Sequence, residues 1–81
     1  MQPIKFYNNM EDKVLDIIKE VLDLDEVKND ISQQNCVKWD SLNHLNLILE
    51  IESEFNVSYT PEEIANIKSA NDIIDSLNQI N

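Results

Sequence analysis

The chain contains no glycine and only two prolines, Pro3 and Pro61, in 81 residues, so little in it breaks a helical backbone. It has one cysteine, Cys36. That excludes an intramolecular disulfide and argues against a cysteine-based metal cluster. No apolar run approaches the roughly 20 residues of a membrane span. The N-terminus lacks a basic region followed by an apolar one, so a cytoplasmic protein is expected. Basic residues are also scarce, 6 against 16 acidic, and the net charge of −10 repels nucleic acid and favours basic protein surfaces as partners. What remains is 42% hydrophobic, enough for one small core. The expectation is a single domain over residues 1–81, a monomer with no membrane partner, burying only about 60% of its unfolded surface.

Met1 to Tyr7 shows no period, although Ile4 and Phe6 could pack back on the body of the protein. Asn8 or Asn9 can cap a first helix, with Glu11 and Asp12 in its opening turn. Val14, Leu15, Ile18, Val21 and Leu22 then form one stripe, which places helix 1 at about Met10 to Leu22. From Leu24 to Lys38 the period is lost, and Val27, Ile31, Cys36 and Val37 are the anchors available. Asp23, Asp25 and Asp30 have neither the spacing nor the glycine of a calcium loop and read as a solvated acidic stretch.

Trp39-Asp40-Ser41-Leu42 is where a polar turn meets a strongly helical pattern. Asp40 is a good N-cap, which puts Ser41 at the first helical position, its hydroxyl at the positive end of the helix, where a phosphoester is well tolerated. Leu42, Leu45, Ile48, Leu49, Ile51 and Phe55 make a wide apolar arc, expected to face the core. Asn43, Asn46, Glu50, Ser53 and Glu54 fall outside it, His44 and Glu52 interrupt it, and Asn56 can close the helix in the left-handed conformation. Thr60-Pro61-Glu62-Glu63 then combines a cap, a proline at the first helical position and the acid of a capping box. That third helix must be short, anchored by Ile64 and Ile67, because Ser69 and Asp72 signal another start. Ala70, Ile73, Ile74, Leu77 and Ile80 are the stripe of the last helix.

Asp40-Ser41-Leu42, placed mid-chain at the head of an apolar helix that carries Glu50, Glu52, Glu54 and Phe55, resembles the acyl carrier protein family. The likeness covers most of the chain. It implies an all-α, four-helix bundle of acyl carrier protein type, with a long loop after helix 1 and a short third helix. It also implies that Ser41, flanked by Asp40 and Leu42, carries 4′-phosphopantetheine delivered from coenzyme A by a phosphopantetheinyl transferase. Such a protein is a carrier and not an enzyme. An acyl- or aminoacyl-loading ligase and acyl-accepting enzymes with basic patches would meet the helix after Ser41, where Glu50, Glu52 and Glu54, with Trp39 and His44 beside the site, are the candidate contacts. Lys38 stands where the family often has glycine, Trp39 where it has a small residue, and Asn43 and Asn46 where fatty acid carriers are often acidic. In this WDSL is similar to discrete carriers of one dedicated pathway more than to the general fatty acid carrier.

Other readings of the same residues exist. Ser41 alone is an ordinary helix-start serine, which leaves an unmodified acidic helical adaptor as a rival. His44, three residues on, raises a small serine hydrolase, but the chain has no glycines for an oxyanion hole and no evident orienting third group. A partly exposed His44 touching the arm or a partner is the expectation. Trp39 reads equally as core or as a partner contact. Cys36 reads as a small buried hydrophobe.

Overall fold

The computed structural model describes residues 9–80, omitting the side chain of Ile80, so Ile4, Phe6, Asn8 and the Ile80 anchor lie outside it. Four helices follow in order: α1 Met10–Val21, α2 Ser41–Phe55, α3 Pro61–Asn66 and α4 Ala70–Ile80. Each begins where a side chain satisfies a backbone N–H that a helix leaves without an internal partner. Asn9 Oδ1 accepts from the Asp12 N–H at 3.0 Å, and Asp40 Oδ1 accepts from the Asn43 N–H at 2.8 Å. At α3 the capping box is complete: Thr60 Oγ1 accepts from the Glu63 N–H and Glu63 Oε1 from the Thr60 N–H. Ser69 Oγ does the same for Asp72 N–H at the head of α4. Asn56, at φ 55° and ψ 50°, ends α2 in the left-handed region that asparagine tolerates.

One core joins all four helices. Val14, Ile17 and Ile18 from α1, with Leu22 at its C-cap, meet Leu47, Ile48 and Ile51 from α2 and Ala70, Ile73, Ile74 and Leu77 from α4, with Ile67 closing the end of α3. Full burial of such side chains stabilises the fold by about 1.5–3 kcal/mol each. Helix α3 itself buries no residue. It is held by Ile64, half-buried, and by bonds to its neighbours.

The expected long connection after α1 is present, and it is ordered by hydrogen bonds. Ser32 and Ser69 form an isolated antiparallel bridge, with Gln33 N–H donating to Lys68 O and Ala70 N–H to Ile31 O. Asn35 fastens a turn by accepting from Ser32 N–H and donating to Asp30 O. The Lys38 ammonium reaches back 2.8 Å to the carbonyl of Asp23, a residue at positive φ just past α1. Ile31 is buried and Val27 and Cys36 are partly so, as expected. Val37 is not an anchor: it is 97% exposed.

Helix α2 buries Ile48 and Ile51 of the expected arc, with Phe55 partly buried, but turns the leucine side of that arc outward. Its buried residues are His44, Leu47, Ile48 and Ile51, whereas Leu42, Leu45 and Leu49 are 69%, 52% and 63% exposed. Both sets run at i, i+3 and i+7, so the helix carries two apolar stripes and spacing alone does not choose between them. His44 can lie on the inward face because both its ring nitrogens are hydrogen-bonded there.

Candidate phosphopantetheine attachment site

Ser41 is exposed at the first position of α2. Asp40 precedes it in extended conformation, its carboxylate taking the Asn43 N–H and its carbonyl accepting the His44 N–H at 2.8 Å. The N–H groups of Ser41 and Leu42 belong to the first turn, whose donors have no acceptor within the helix, and they lie at the positive end of the macrodipole. A phosphoester on Ser41 Oγ therefore fits the site: it gains solvent, donors and a favourable field, and Leu42 flanks it without enclosing it.

The turn around Ser41 is held on both sides. Asn43 Nδ2 donates to Lys38 O at 2.9 Å, and Trp39 N–H donates to Cys36 O at 3.0 Å. The Trp39 indole N–H donates to His44 Nδ1 at 3.0 Å, with the two rings stacked at 6.2 Å. His44 Nε2 lies 2.8 Å from the Ile64 carbonyl of α3. Trp39 is 2% exposed and His44 7%, so this network is interior. Burial corrects the expectation of a partly exposed His44 at the partner surface, and it settles the even choice for Trp39 in favour of the core. The physical reason is that each ring finds inside the protein the polar partner that sequence spacing cannot reveal. With both ring nitrogens committed to Trp39 and Ile64, His44 also offers no base to Ser41, which removes the ground for a hydrolase.

The three candidate acidic contacts separate in the same way. Glu52 is partly buried, and its carboxylate accepts the Tyr59 N–H at 2.8 Å, tying α2 to the segment before α3. Glu54 pairs with Lys13 of α1 at 3.4 Å, where the same ammonium lies 5.1 Å over the Phe55 ring. Glu52 is thus engaged within the chain, whereas Glu54, although paired with Lys13, stays exposed. Glu50 is exposed. The surface that sequence reasoning missed is apolar: Leu42, Leu45 and Leu49 run along α2 directly after Ser41, and Val37 stands exposed on the loop before it. A signal was available in the sequence, since a helix with more leucine than one core face can absorb must show some of it to solvent.

Comparison with known proteins addresses the same region. Residues 12–77 match the family model described as a phosphopantetheine attachment site. An acyl carrier protein of Porphyromonas gingivalis is 33% identical over 70 residues, covering 84% of this chain and 90% of that protein. One from Buchnera aphidicola is 30% identical over 76 residues, covering 91% and 96%. A solved structure from Mycobacterium tuberculosis, described as a candidate acyl carrier protein, superposes with a TM-score of 0.80 at 26% identity, covering 90% of this chain and all of that one. The all-α bundle, the match to the attachment model and the level of identity agree: this chain belongs to the acyl carrier protein family, whose members bear covalent 4′-phosphopantetheine and act as carriers rather than enzymes.

Proposed function

We propose that Ser41 Oγ is the attachment point of the arm, and that residues 1–81 form one carrier domain that works as a cytoplasmic monomer in a dedicated biosynthetic pathway. The arm supplies a flexible thiol on which an acyl or aminoacyl group is held as a thioester. The chain's own part is to present Ser41, keep its turn in shape and offer a docking face.

The observation that carries this reading is the position of Ser41: exposed, first in α2, and preceded by a capping Asp40. The exposed Leu42, Leu45 and Leu49 support the docking part, since apolar side chains left in water beside a site are available to a partner's apolar surface. Negative charge on the chain, with Asp40 and Glu50 exposed near that stripe, favours basic partners and speeds their approach. Lys38, Asn43 and Asn46 support a dedicated pathway over general fatty acid synthesis, because they alter the neighbourhood a partner must read.

The test is intact mass after incubation with coenzyme A and a permissive phosphopantetheinyl transferase. A gain of one phosphopantetheine, absent in Ser41→Ala, is the expected result. An unmodified wild-type chain would leave the acidic adaptor as the better reading. Loading of the free thiol by an adenylating ligase, rather than acceptance of the acylated arm by a ketosynthase, would support the dedicated pathway.

A further inference from the structure

The Trp39–His44–Ile64 network has a consequence beyond packing. An indole N–H can only donate and a carbonyl can only accept, so His44 must have a bare Nδ1 and a protonated Nε2 to satisfy both. One neutral tautomer meets both demands, and the described residues leave no buried side-chain polar atom unpartnered. The network also spans three segments. Trp39 lies in the loop two residues before Ser41, His44 lies in α2 three residues after it, and Ile64 lies in α3, the short helix that buries no side chain of its own. We infer that Trp39 and His44 are positioning residues for the arm-bearing turn, and that through the Ile64 carbonyl they couple the conformation of that turn to the seating of α3.

The inference rests on Ser41 as the attachment point for its functional half, but its structural half does not need the arm. In this arrangement the indole fixes the tautomer and orientation of the imidazole, and the imidazole holds α3. Loss of the indole N–H therefore loosens α3 even though the substitution lies in another segment. Conversely, displacement of α3 by a partner frees His44 to turn, and the Ser41 turn loses the bond that braces it across both flanks.

Three variants of the unmodified chain test this. Trp39→Phe removes the donor and keeps most of the ring. His44→Leu removes both the acceptor for Trp39 and the donor to Ile64 O, and the double variant combines them. Amide hydrogen exchange is read at Ile64 and Ile67, whose N–H groups bond Thr60 O and Glu63 O at the two ends of α3, with Leu22 at the C-cap of α1 and Ile73 in α4 as references. Trp39→Phe is expected to speed exchange at Ile64 and Ile67 roughly 2- to 10-fold relative to the references, the factor that one lost hydrogen bond represents. The double variant is expected to be no faster than the faster single one, because both changes delete the same bond. The imidazole nitrogen spectrum of the wild type should show the proton on Nε2, and Trp39→Phe should relax that preference.

Unchanged exchange in α3, acceleration equal to that at Leu22 and Ile73, or additive effects in the double variant would each overturn the coupling. For the positioning role, phosphopantetheine transfer to Trp39→Phe at a temperature where it is fully folded should show a lower kcat with little change in KM. Transfer at the wild-type kcat would overturn that role. Failure of the wild type to accept the arm would instead refute Ser41 as the attachment point and leave the exchange result standing.

Discussion

Substituting alanine for leucine at 47 and at 49 asks the same chemical question at two sites of opposite exposure within one helix. Leu47 is 0% exposed and packs among Val14, Ile18, Ile51 and the other core residues; Leu49 is 63% exposed. Both lie inside α2, so the difference in helix propensity between leucine and alanine is common to the pair and cancels in the comparison. At 47 the truncation loses buried apolar contact and leaves a cavity, which costs about 2–5 kcal/mol. For a domain of this size each kcal/mol moves Tm by about 4–8 °C, so Leu47→Ala should lower Tm by at least about 8 °C. At 49 little buried area changes, and the effect should stay within about 0.5 kcal/mol. Thermal and urea melts of the two variants, fitted with a common m-value, measure both quantities. Equal losses at the two positions would refute the facing of α2, and with it the exposed leucine stripe on which the docking surface rests.

Other perturbations address the caps, the charge and the Tyr59 phenol. Thr60→Ala deletes half of the capping box at α3 and should cost about 1 kcal/mol, seen as a lower urea midpoint with Ile64 and Ile67 amides exchanging faster. A net charge of −10 repels itself across a small molecule, so Tm should rise as sodium chloride is added, and a flat or falling Tm would contradict that account. Burial, followed by the nearby Glu63 and Glu52 carboxylates, raises the Tyr59 pKa above its ordinary 10.0, against the opposing effect of its bond to Ser76. The neutral phenol is thus favoured by folding. This contribution is complete below pH 10.0 and is lost as pH climbs from there through the raised native value, so Tyr59→Phe should flatten the alkaline fall in urea midpoint.

Where local chemistry dictates structure, the sequence is explicit. Thr60-Pro61-Glu62-Glu63 encodes both the start of α3 and its two reciprocal hydrogen bonds, and Asp40 encodes the start of α2 and hence the position of Ser41. The loop after α1 is legible as a loop but not as an ordered one, because its bonds join Ser32 and Gln33 to Lys68 and Ser69, far along the chain. The facing of α2 is illegible for a different reason. Two stripes of equal period compete, and the inward one includes a histidine whose polarity counts against it until Trp39 and Ile64 are known to satisfy it. The partners of Glu52 and Glu54, Tyr59 and Lys13, are equally hidden in the sequence, since tertiary packing sets them.

Placing the leucines outside and the histidine inside has a cost and a use, and the two are linked. An apolar core of the same shape would need no hydrogen bonds, whereas a buried imidazole is tolerated only while both its nitrogens are satisfied. Under the inferred coupling, that requirement would make the seating of α3 and the shape of the Ser41 turn conditional on each other, which purely apolar contacts between a six-residue helix and α2 would enforce less sharply. Leucines directed to water stabilise the isolated chain little, and their gain comes when a partner covers them. An exposed leucine stripe would ordinarily promote self-association, but two copies each carrying −10 repel at distances where apolar contact has no reach, while a basic partner is attracted over the same range. In the proposed docking, charge would select which surface arrives, and Leu42, Leu45 and Leu49 would act only after it has done so.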